Sequence, residues 1–136
     1  MKILLIYPYW LEKRTRTEDV TVPPIGIYYI GAVLKENHYD VEILNWCSIN
    51  ETPQEIERVL GEKKPDVIGF SILQANRWGG IDIARIAKRI DPGVKIVFGG
   101  VAPTGAFFDP FFGNRFCGYR RGRIYVFKSR QMDPKR

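Results

Sequence analysis

The sequence is short of the side chains that carry most metal and covalent chemistry. Its 136 residues include one histidine, His38, and two cysteines, Cys47 and Cys117. The cysteines are far apart and form no C-x-x-C pair. That excludes a disulfide framework and a zinc knuckle, and a reduced, cytoplasmic setting is the expectation. A single histidine also leaves no Ser/His/Asp or Cys/His set for nucleophilic catalysis. His38 itself stands in "KENHYD", where a helix gives way to a strand. It reads as a helix C-terminal histidine favoured by the helix dipole, not as a metal ligand. Long hydrophobic runs are missing too. Only Met1 and Ile3–Tyr7 are apolar before Pro8, too short for a signal-peptide core and far below the ~20 residues of a membrane span. Residues 1–104 hold no repeat and no low-complexity run.

The stretch after the first apolar run, "YPYWLEK", contains no glycine. A dinucleotide fingerprint and a phosphate-binding loop both need glycines there, and both are excluded. A phosphoacceptor receiver domain needs an aspartate at the end of the third strand, where this chain has Ser71.

What is present is a regular alternation. "KILLIY" is an unbroken apolar run that reads as a strand covered on both faces. After the polar stretch 8–22, Pro23 and Pro24 open a helix with Ile27, Ile30 and Leu34 at helical spacing. "YDVEILNW" alternates as a strand. "ETPQEIERVL" is a second helix, with Thr52 as N-cap, Pro53 in the first helical position and Glu55 completing a capping box. "PDVIGFSIL" is a third strand. "GGIDIARIAKRI" is a third helix with Ile83, Ile86 and Ile90 on one face, and "VKIVFGG" is a fourth strand. Strands alternating with helices over short connections predict a flavodoxin-like, doubly wound α/β domain over residues 1–104. The expected strand order is 2-1-3-4, with a fifth strand missing or replaced.

In an open parallel sheet, ligands bind beyond the carboxyl ends of the strands. That places the candidate site at the loop after Tyr7, the turn after Phe70 and the turn after Phe98. The residues there are mostly uncharged: Tyr9, Trp10, Ser71, Leu73, Gln74, Gly99, Gly100, Val101, Pro103 and Thr104. Read from composition alone, Ser71 is a strand-end hydroxyl bonded to its own backbone and the glycine pair is a tight turn. The alternative is a large flat or extended ligand brought close to a backbone without side chains.

Taken together, "KILLIYPYW", the proline pair of "VPPIGIYYIGAVLKENHYDVEIL", "KPDVIGFSIL" and "VKIVFGGVAPT" resemble the N-terminal cobalamin-binding domain of cobalamin-dependent radical S-adenosylmethionine enzymes. The resemblance runs from Met1 to about Thr104. It implies that Ser71-Ile72-Leu73 and Gly99-Gly100 hold the nucleotide tail of cobalamin, that Gln74 lies near the corrin ring, and that Val101, Pro103 and Thr104 are further cofactor-binding residues. Tyr9 and Trp10 would lie near the corrin ring, or else cap the sheet edge. The mutase branch of cobalamin proteins carries D-x-H-x-x-G after the first strand, but residues 8–26 contain no histidine. The resemblance therefore implies base-off cobalamin with no protein histidine on the cobalt. The family's C-x-x-x-C-x-x-C motif, which holds an iron-sulfur cluster, is absent from this sequence. This chain on its own is expected to bind rather than catalyse.

Charge divides the chain near Thr104. Residues 1–104 carry 13 Lys+Arg and 13 Asp+Glu, whereas 105–136 carry 8 and 2, together with 8 of the 18 aromatic residues. Family members continue into a fifth strand ending D-F-V-V-x-G-E-G-E. When "FFGNRFCGYRRGRIYVFK" is reverse-translated and read one base later, it can spell F-L-E-T-D-F-V-V-I-G-E-G-E-Y-T-F-L. The tail accordingly reads as out of frame from about residue 105–111. Two alternatives remain open: a basic, aromatic tail serving nucleic acid or a membrane surface, and a folded remnant without a ligand. Whatever its origin, such a tail is expected to give weak, salt-dependent polyanion binding. "GRIYVFK" could replace the fifth strand. Without a replacement, the fourth strand's open edge would favour self-association.

Overall fold

Residues 1–9, 23–46, 52–100, 116–119 and 124–127 are described by a computed structural model, the last two segments as backbone only. Four parallel strands, β1 (Lys2–Tyr7), β2 (Asp40–Asn45), β3 (Val67–Ser71) and β4 (Lys95–Gly99), alternate with helices α1 (Ile25–Glu36), α2 (Pro53–Lys63) and α3 (Arg77–Ile90). Two further strands, β5 (Phe116–Tyr119) and β6 (Ile124–Phe127), complete a sheet of order β2-β1-β3-β4-β6-β5. The doubly wound α/β fold expected from the alternation is present.

β1 is central, and its burial shows why it is apolar throughout. Leu4 and Ile6 enter the larger core with Ile68, Phe70, Ile96 and Phe98 beneath α2 and α3. Ile3 and Leu5 enter a smaller core with Val41 and with Ile27 of α1. Alternate residues thus face opposite layers, and both layers are filled. Phe70 and Phe98 stack across the β3–β4 pair with ring centroids 5.1 Å apart.

The helices start and stop for local reasons. The Thr52 hydroxyl accepts the Glu55 amide at 3.2 Å, so one half of the capping box forms. The Glu55 carboxylate turns instead to Arg58. In α1 the inward stripe is Ile27, Gly31 and Leu34, while Ile30 is 53% exposed. Ile30 was expected on that stripe. Glycine at the inner position leaves room for Ile43, whose Cδ1 would lie 2.7 Å from a Cβ at Gly31 and would have to shift for a larger residue. Ile90, expected inside with Ile83 and Ile86, is half-exposed at the C-terminal end of α3, and Ala84 and Ala87 fill the buried face.

The fifth strand is replaced rather than missing. β6 pairs antiparallel with β4, matching Ile96 with Phe127 and Phe98 with Tyr125, and β5 pairs antiparallel with β6. The edge of β4 is therefore covered, and the open edge on which self-association would have depended is not left at β4. Among the described residues, no helix is long and apolar enough to cross a membrane.

Candidate functional site at the carboxyl edge of the sheet

The two elements singled out in the sequence come together at one edge. Ser71 and Gly99 are register partners at the ends of β3 and β4. Both lie on the α1 side of the sheet, opposite the face of Phe70 and Phe98. Helix α1 packs on β2 and β1. The β3 and β4 positions on its side, Val67, Gly69, Ser71, Val97 and Gly99, are half-buried. Among the described residues, a Cβ built at Gly99 meets a single neighbouring atom, the Phe70 carbonyl oxygen at 3.7 Å. Small residues thus form a shallow, weakly polar floor that fits an extended ligand lying along the two strand ends.

Gly100 has a different task. Its φ is +106°, and a Cβ there would lie 2.4 Å from the Ile72 carbonyl oxygen and 2.8 Å from the Ile72 nitrogen. Only glycine can hold the turn after β4 against the backbone of the turn after β3. The Ile72 amide donates to the Gly99 carbonyl at 2.8 Å, which fastens the two turns together. Gly99 is free to face a ligand, and Gly100 shapes the edge.

The turn after β3 is held from below by Asn76, a polar side chain with no solvent exposure. Its Oδ1 accepts the Leu73 amide at 2.7 Å, and its Nδ2 donates to the Ser71 carbonyl at 3.3 Å. Leu73 is half-buried. Gln74 is exposed, and its carbonyl accepts Arg77 Nη1 at 2.6 Å. The Arg77 guanidinium also lies over the Trp78 ring, 5.2 Å from its centroid.

Tyr9 sits on the other side of the sheet, against the larger core with Trp78. Its carbonyl rests on the first turn of α3, 2.2 Å from where a Cβ at Gly79 would stand. Burial, with a smaller contribution from the nearby Asp82 carboxylate, raises its phenol above the usual range. In this position Tyr9 caps the sheet edge. Trp10, Val101, Pro103 and Thr104 lie outside the described residues, as do Arg115, Arg120, Arg121, Arg123, Lys128 and Arg130 of the basic tail. His38 is at the amino end of β2, exposed and with φ +63°, on the opposite edge. Among the described residues, no group of three His, Cys, Asp or Glu could hold a metal ion.

Three residues of this edge were not singled out in the sequence. Gly69 and Val97 lie on the same face as Ser71 and Gly99, but a Cβ at Gly69 would lie 2.8 Å from Leu5 Cδ2, so the glycine inside "VIGFS" makes room for Leu5. Asn76 had no signal in the sequence. A separate hollow of about 270 Å³ lies between α2 and α3 at the amino edge, lined by Leu60, Pro65, Ile68, Ala87 and Val94. It is apolar, and it is remote from the strand ends where this fold binds ligands.

Comparison with known proteins gives the family of the chain. The family described as "B12 binding domain" matches residues 15–110. The chain belongs to the B12-binding domain family. A relative in Pyrococcus horikoshii, described as an uncharacterized methyltransferase, is 31% identical over 117 residues. The match takes in 86% of this chain and 25% of the relative, so the chain spans about a quarter of that protein's length. For a B12-binding domain the residues present fit the cofactor. Among the described residues, Ser71 and Gly99 stand side by side at two strand ends, offering a hydroxyl and a small, half-buried surface.

Proposed function

We propose that this chain is the cobalamin-binding module of a radical S-adenosylmethionine enzyme of the methyl-transferring or cyclising kind. The observation that carries the reading is the pairing of Ser71 with Gly99 on a face where, among the described residues, a Gly99 Cβ would meet only the Phe70 carbonyl. Ser71, Val97 and Gly99 hold the nucleotide tail, and Leu73 and Gln74 flank it. When bound, cobalamin supplies a carrier for a methyl group. This chain's part is to hold and orient the cofactor, and the reaction belongs to further protein.

The chain's one histidine stands at the amino edge of the sheet, away from this site. That supports cobalamin held base-off, with no histidine of this chain on the cobalt. Titration with hydroxocobalamin followed by absorbance tests the reading. The bound spectrum should be that of a base-off cofactor without an imidazole ligand, and His38→Asn, which tolerates a positive φ, should leave it unchanged. A histidine-ligated spectrum lost in His38→Asn would overturn the base-off reading.

The tail from about residue 105 is read, on this proposal, out of frame with the family's fifth strand. One observation supports it: β6 runs antiparallel to β4 where a doubly wound sheet would continue parallel. Nucleotide sequence through the Thr104 codon and several hundred bases beyond Arg136 tests it. The account expects the shifted frame to stay open through Gly-Glu-Gly-Glu. A stop codon at once in that frame would contradict it.

A further inference from the structure

Asn76 stands at the N-cap of α3, where an asparagine ordinarily accepts an amide from the first turn of its own helix. Here it makes no such bond. Its side chain turns back, fully buried, to take the Leu73 amide and to donate to the Ser71 carbonyl. With the Ile72 amide held by the Gly99 carbonyl, both N–H groups after Ser71 are committed within the protein. The backbone of Ser71 is thereby held beside Gly99, its register partner.

We propose that Asn76 is the positioning residue of the cofactor edge, holding the Ser71–Leu73 turn in its binding shape before cobalamin arrives. This rests on the reading of that edge as the cobalamin site. It accounts for a buried amide that gives up helix capping in favour of a loop, because a fully paired buried polar group fixes a single geometry. A turn ordered in advance also spares the cofactor the cost of ordering it.

The test is cobalamin affinity by absorbance in the full chain, with thermal stability measured in parallel. Asn76→Ser separates the two roles: a serine can cap α3 in the ordinary way but is too short to span both partners. It is expected to stay folded and to lose about tenfold or more in affinity, the scale of a lost buried hydrogen-bond pair. Its Leu73 amide should exchange with solvent faster than in the wild type. Leu60→Ala, at the opposite edge, is the control. It should be destabilised at least as much and keep wild-type affinity. Wild-type affinity in both Asn76→Ser and Asn76→Ala would overturn the positioning role, as would an equal affinity loss in Leu60→Ala. No spectral shift in the wild type would instead overturn the reading of the site, and the role of Asn76 with it.

Discussion

At the residue scale, adjacent glycines do different work. A side chain at Gly100 meets the Ile72 backbone in a left-handed conformation, whereas a Cβ at Gly99 makes an ordinary 3.7 Å contact with the Phe70 carbonyl oxygen. Gly100→Ala is therefore expected to cost more than about 2 kcal/mol, and Gly99→Ala to stay within about 1 kcal/mol of wild type, both by urea denaturation. Equal costs would mean that the turns are not packed as described. Tyr9 gives a second prediction. Its phenol is raised by burial, so the folded state keeps its proton after the unfolded state has lost it. Stability from this group is fully present below about pH 10 and is lost as pH rises above it. Tyr9→Phe should flatten the decline in melting temperature above pH 10, and an unchanged decline would place the cause elsewhere.

At the scale of elements, the helix ends are the most legible part of the chain. Thr52 and Pro53 announce the start of α2, and the Thr52 hydroxyl does accept the Glu55 amide. Thr52→Ala should cost about 1 kcal/mol. The inward faces were harder to read. Apolar periodicity placed Ile30 and Ile90 inside, yet the contacts are made by Gly31, Ala84 and Ala87, because close packing selects small side chains that a hydrophobicity pattern does not register. Asn76 escaped notice for a related reason: nothing in "SILQANRW" says which way an asparagine at a helix start will turn. At the sheet edge, β6 covers β4. A chain ending at Thr104 should lose that cover and sediment as oligomers, while the full chain does so less. A monomeric truncated chain would show that the β4 edge is harmless.

At the scale of the whole molecule, the alternation of strands and helices is enough to place Ser71 and Gly99 at the same edge, and the family match agrees with the fold that results. The same logic set the basic tail apart, since the charge imbalance begins where the alternation ends, yet β5 and β6 of that tail join the sheet beside β4. The central claim is that cobalamin lies along the ends of β3 and β4. Its most direct test is an absorbance titration with cobalamin of the wild type and of Gly99→Trp, a substitution that fills the floor without touching the Ile72 backbone. The account predicts a spectral shift in the wild type and its loss in a Gly99→Trp variant that melts normally. An absent shift in the wild type, or one of equal affinity in Gly99→Trp, would contradict it.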